Sequence, residues 1–166
     1  MKKSILCLPV FFLLSLQMMQ AQKSYGSLYH PEANAATDIE AALKKAAAEG
    51  KFVILQGGGN WCSWCYKFHD FIEKDEELKA FVDENFVWYH LNYSKENTNK
   101  TIFEQYGFPQ RFGFPVLIVL DEKGNRLHTQ DSALLESGDG YDRKKVLNTL
   151  KAWSPKALDP EGYQGK

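Results

Sequence analysis

One stretch restricts what this chain can fold into more than any other: Phe52–Gln56 (FVILQ), then Gly57-Gly58-Gly59-Asn60, then Trp61-Cys62-Ser63-Trp64-Cys65. FVILQ is short, apolar and rich in β-branched residues, as a buried strand requires. Three glycines and an asparagine break it. From Cys62 the apolar spacing turns helical, with Phe68, Phe71 and Ile72 on one face. A strand passing through a glycine turn into a helix is the opening of a βαβ unit, and Phe86–Leu91 (FVWYHL) supplies its second strand.

The rest of the chain extends that unit. Thr37 opens T-D-I-E, a capping box with Glu40, and Ile39, Leu43 and Ala46/Ala47 give a helix that Gly50 ends. Leu78, Phe81 and Val82 carry a helical pattern beyond the acidic stretch at Asp75. Asn99 is the expected cap of a short helix that stops at Gly107. Val116–Leu120 (VLIVL) is a third strand, Asp121–Asn125 a turn and Arg126–Gln130 its hairpin partner. Ser132–Tyr141 reads as a loop, and Val146, Leu147, Leu150 and Trp153 face one side of a last helix. The order predicts an α/β fold with a mixed β-sheet covered by helices on both faces. The expected organisation is a lead-in segment over 22–36, one domain over 37–153 and a tail over 154–166.

Residues 1–21 differ in character. Lys2 and Lys3 precede an apolar run of 12 residues, Ile5 to Leu16, and Ala21 suits cleavage. Crossing a bilayer takes about 20 apolar residues, so the segment is expected to be a signal peptide, with Cys7 discarded with it. Met19 is bulkier than the small residue that cleavage pattern prefers. A periplasmic or secreted location follows, with no stable membrane insertion after cleavage. Twenty basic residues stand against 21 acidic ones with no Lys/Arg-rich run, so the footprint of a nucleic-acid binder is missing.

Cleavage would leave two cysteines, Cys62 and Cys65, in an oxidising compartment. A disulfide closing so short a loop restrains the unfolded chain very little, so chemistry explains the pair better than stability does. A cysteine at a helix start meets free backbone N–H groups and the positive end of the dipole, which favour the thiolate. That makes Cys62 the attacking thiol, and Cys65, one turn deeper, the one that resolves a mixed disulfide. A structural zinc site wants four ligands, but only His69 is near. Haem attachment needs C-x-x-C-H, and Tyr66 follows Cys65. A Cu(I) chaperone would use the same two soft thiolates; against it, all three methionines lie in residues 1–21 and no histidine cluster adjoins the pair.

FVILQGGGNWCSWC, Phe114-Pro115 before VLIVLDEKGN, and the closing amphipathic helix together resemble the thioredoxin superfamily, in particular its exported, disulfide-isomerase-like members. The resemblance spans about Thr37 to Trp153. It implies a thioredoxin-like fold, a reversible dithiol/disulfide at Cys62 and Cys65, and no cofactor. It further implies a cis Pro115 facing the disulfide, with the backbone at Phe114 pairing with a bound substrate strand and Trp61 as an apolar docking surface. Two departures stand out. Gln56 occupies the place of a buried acid that helps deprotonate the resolving thiol. The inner dipeptide Ser63-Trp64 is neither Gly-Pro nor Gly-His.

The remaining candidates are weaker. Trp64, at a helix start, is expected to be exposed and suited to unfolded peptide. Lys67 and His69 are expected on a solvated helix face, the alternative being an electrostatic bias on the thiolate, and Asn92-Tyr93-Ser94 is read as a chance match to N-x-S. The sequence thus predicts a protein thiol–disulfide oxidoreductase, with reductase, oxidase or isomerase direction open. Its partners would be protein thiols or disulfides and a redox partner, with no metal. The alternatives are the copper chaperone and a noncatalytic thioredoxin-like interaction module.

Overall fold

The computed structural model describes residues 27–165; the expected signal peptide lies outside them. Among the described residues five α-helices, α1 (Ala35–Glu49), α2 (Ser63–Lys74), α3 (Glu76–Asn85), α4 (Lys100–Gln105) and α5 (Arg143–Ala152), surround a sheet of β1 (Phe52–Gly58), β2 (Phe86–Asn92), β3 (Val116–Leu120) and β4 (Arg126–Asp131). The order across the sheet is β2-β1-β3-β4. β1 and β2 run parallel, while β1–β3 and β3–β4 are antiparallel. The mixed sheet with helices on both faces is the architecture expected.

Strand alternation sorts the core into two layers. Ile54 of β1 and Leu117 and Val119 of β3 pack with Phe68 and Ile72 of α2, Leu78 and Val82 of α3, and Val146, Leu147 and Leu150 of α5. Val53 and Leu55, from the opposite face, pack with Ile39, Ala42 and Ala46 of α1 and Phe103 of α4. β1 and β3 are therefore covered on both sides, which is why FVILQ and VLIVL show no alternation.

Several local expectations change. Helix α1 starts at Ala35 because the Asn34 side chain, not Thr37, is its cap: Asn34 Oδ1 accepts from the Thr37 N–H at 3.2 Å. Its other end is as expected, with Gly50 in the left-handed region at φ 66°. Asp75 separates α2 from α3 by accepting from the N–H groups of Glu77 and Leu78, and it pairs with Arg143 of α5 at 2.6 Å. Asn99 precedes α4 but makes no capping bond; its Nδ2 instead donates to Asn92 O at 2.8 Å. The stretch 132–141 is not a plain loop. It forms a 3-10 turn over Ser132–Leu135 and a small antiparallel pair, β5 (Glu136–Ser137) and β6 (Gly140–Tyr141). Among the described residues no helix is long and apolar enough to cross a membrane.

Candidate active site

Cys62 and Cys65 form a disulfide, S–S 2.07 Å, at the N-terminus of α2. Cys62 is the N-cap, and its Sγ accepts from the Cys65 N–H at 3.2 Å. The dipole and a first-turn backbone donor of α2, which the Cys62 carbonyl shares at 3.1 Å, thus converge on that sulfur. Burial separates the two cysteines: Cys62 keeps 5% of its surface and Cys65 none. Cys62 is flanked by Trp61, 60% exposed, and by exposed Ser63.

An aromatic shelf borders the pair. Phe114 packs against the cluster of Tyr29, Cys62 and Cys65, and the edge-on ring of Trp61 meets its ring at 5.5 Å. Tyr93 lies against Phe114 at 5.0 Å and accepts from Trp61 Nε1 through its backbone oxygen at 2.8 Å. Phe114–Pro115 is a cis peptide, as the resemblance implied, and leads directly into β3. A cleft of about 510 Å³ beside Trp61 is lined by Tyr93, Lys95 and Thr98. Trp64 packs against the same cluster. It is half-buried, edge-on to Tyr141 at 5.5 Å with Lys67 Nζ 4.3 Å above its ring. Its apolar ring is covered by the 132–141 segment, which corrects the expectation of an exposed Trp64. Lys67 is occupied by Asp139, at 2.6 Å.

Beneath the disulfide lies a polar layer. Gln56 is completely buried, and its Nε2 donates to Cys65 O at 3.3 Å and to the Tyr29 hydroxyl at 2.8 Å. Tyr29 is also completely buried, and that burial pushes its hydroxyl well above the ordinary phenol range, so it stays protonated. Asn60 clips Tyr29 in place, accepting from its N–H at 3.0 Å and donating to its carbonyl at 2.8 Å. Tyr66 of α2 donates to the same Asn60 at 2.8 Å. The whole arrangement depends on Gly58. A Cβ there would lie 2.5 Å from Cys65 Sγ and 2.5 Å from the Tyr29 oxygen, so any side chain is excluded.

His90 sits beside Gln56 in the β1–β2 register and edge-on to Tyr29 at 5.5 Å. Burial, reinforced by His69 and His30, pushes its imidazole down to about 4. Gln56 and His90 line one end of a cavity of about 430 Å³ that also touches His69, Ile72 and Trp88. Among the described residues no three metal-ligating side chains converge.

The structure therefore gathers Trp61, Cys62, Cys65, Phe114 and Pro115 at one end of the sheet. Tyr29, Gly58, Asn60, Tyr93 and His90 join them without having been singled out. The glycine run was visible in the sequence, but its need for a missing Cβ was not. Tyr29 belongs to a segment without periodicity, so no pattern marked it.

Residues 39–134 match the thioredoxin-like domain family. No curated protein sequence matches the chain. Among solved structures, a disulphide isomerase from Xylella fastidiosa superposes with a TM-score of 0.67 at 20% identity, covering 77% of this chain and 97% of that one. The oxidised C-terminal domain of Neisseria meningitidis DsbD gives 0.51 at 20% identity, covering 72% and 96%. A thioredoxin from Thermus thermophilus gives 0.52 at 17% identity, covering 76% and 92%. At these identities the likeness is one of fold.

Proposed function

The chain belongs to the thioredoxin-like family, and from that premise we propose that it is an exported thiol–disulfide oxidoreductase acting on protein thiols and disulfides. The observation that carries the reading is the asymmetry of the Cys62–Cys65 disulfide: one sulfur caps a helix and belongs to a residue that keeps a little exposed surface, and the other belongs to a residue that keeps none.

The mechanism follows from that asymmetry. A substrate thiolate attacks Cys62 Sγ in line with the disulfide; the new S–S bond joins substrate to Cys62, and Cys65 leaves with the electron pair. The reverse step, Cys65 attacking Cys62 Sγ, releases the substrate. The N–H that now points at Cys62 Sγ also stabilises it as a thiolate when the pair is reduced. Trp61 and Phe114 offer an apolar ledge on which an extended substrate segment rests, and the backbone before Pro115 offers it hydrogen bonds. Electrons travel in the dithiol itself, so the chemistry calls for no cofactor beyond a redox partner that resets the pair. The periplasmic or secreted location rests on the Lys2–Ala21 sequence pattern.

Cys65→Ser is expected to trap partner proteins as mixed disulfides on non-reducing gels, and Cys62→Ser to trap none. Equal trapping by both, or trapping by Cys62→Ser alone, would reverse or remove these roles. Purified protein that carries about one copper per chain and lacks insulin reduction would transfer the pair to the chaperone reading.

A further inference from the structure

The redox reading leaves one demand unmet. Cys65 must leave as a thiolate from a position with no exposed surface, and burial opposes that charge. No acid lies at Gln56 to manage the proton. None of the groups acting electrostatically on Tyr29 or His90 is a carboxylate: they are Tyr66 and His69 of α2, Tyr141 of β6, and His30. His90 of β2 is itself neutral at pH 7.

Gln56 restricts where the Tyr29 proton can point. The Cys65 carbonyl can only accept, so the Gln56 atom bonded to it is the amide nitrogen, and that same nitrogen reaches the Tyr29 oxygen. A donor already faces the phenol oxygen, which turns the phenol's own proton elsewhere. Among the described residues no hydrogen bond takes that proton up. The two atoms nearest the point where Gly58 lacks a Cβ are Cys65 Sγ and the Tyr29 oxygen, each 2.5 Å from it, so the phenol and the sulfur border the same space that the glycine leaves open.

We propose that the Tyr29 hydroxyl donates a hydrogen bond to the Cys65 thiolate whenever the disulfide opens, with Gln56 as the positioning residue that aims it. The step balances without another reagent. The incoming substrate thiolate loses its charge in forming the bond to Cys62, the Cys62–Cys65 bond breaks, and the same unit of charge appears on Cys65. Tyr29 keeps its proton and shares it. A neutral donor thus does by hydrogen bonding what a buried carboxylate does by accepting a proton.

The test is the titration of Cys65 in the full chain carrying Cys7→Ala and Cys62→Ala, where it is the single thiol, followed by thiolate absorbance and by the ¹³Cβ shift of labelled cysteine. Adding Tyr29→Phe, which keeps the ring and deletes the hydroxyl, is expected to raise the Cys65 pKa by about one to two pH units, the range for a hydrogen bond to a charged group. Gln56→Leu, which frees the phenol to turn, is expected to move it the same way by less. An unmoved or lowered pKa in Tyr29→Phe overturns the proposal. If Tyr29→Phe does not fold, the parent decides: a Cys65 pKa at or below about 8.5 despite full burial supports the hydrogen bond, and a higher one overturns it. The proposal rests on the redox reading, but the titration needs no turnover. An unmoved Cys65 beside intact trapping by Cys65→Ser removes the hydrogen bond alone, and a moved Cys65 without trapping removes the redox reading alone.

Discussion

Gln56→Glu is expected to cost about 4 kcal/mol more at pH 8 than at pH 4, the equivalent of a buried carboxyl raised by roughly three pH units. The sign follows from proton linkage. A glutamate in the unfolded chain ionises near pH 4.3, whereas in the buried site the same group holds its proton to about pH 7. The folded state therefore binds the extra proton between those values, and stability falls as pH rises through them, then levels off. The wild type runs the other way. His90 is depressed to about 4, so the stability it contributes is present above its unfolded value, about 6.5, and is lost as pH falls towards 4. Urea unfolding of both proteins from pH 4 to 9 measures the difference. Parallel curves would mean that residue 56 does not sit in a dry site.

The same substitution re-aims the polar layer. Once ionised, the introduced carboxylate accepts from Tyr29, and the phenol proton then turns away from Cys65. That carboxylate becomes a proton acceptor next to Cys65, an effect typically worth about 10²–10⁴-fold in rate. Stopped-flow resolution of a mixed disulfide on Cys62 is expected to gain a pH dependence between about pH 6 and 8, the window of a buried carboxyl. An unchanged profile would remove residue 56 from the proton chemistry of the site.

Phe68→Ala carries the other large effect, about 3–5 kcal/mol of stability. Phe68 has no exposed surface, and its ring lies edge-on to Tyr141 at 4.7 Å and tilted to Trp88 at 6.2 Å. These neighbours come from the β6 strand and from β2, so the hole cannot close by moving one side chain. A melting temperature lowered by about 10 °C or more is expected for a domain of this size, read by calorimetry. A cost below about 1 kcal/mol would show that α2 settles onto the sheet without its central aromatic residue.

What the sequence showed and what it hid divide along a physical line. FVILQ and VLIVL were legible because a strand covered on both faces needs an unbroken apolar run. The helical faces at Phe68/Ile72 and Val146/Leu150 were legible because their spacing repeats. Contacts made once leave no period. Asn34 caps α1 by a single bond to Thr37, while the nearby T-D-I-E satisfies the capping rule without being used. Tyr29 fills one hole beneath one disulfide, and Trp64 found its cover in a two-residue strand that no alternation announces. The importance of Gln56 was readable only as a departure from a resemblance. Its partners required the fold.

Tyr29 also separates two boundaries that are easily taken for one. The family match begins at Ile39, yet the floor of the site arrives ten residues earlier, tethered by Asn60 and by Asn97 Nδ2, which donates to Pro31 O at 2.9 Å. A chain cut back to Ile39 would keep both cysteines, all four strands of the main sheet and the cis proline. It would also have a vacancy under Cys65, flanked by a Gln56 amide left with only the Cys65 carbonyl to hold. Such a chain would look intact by every landmark of its family while having lost the underside of its own sulfur chemistry.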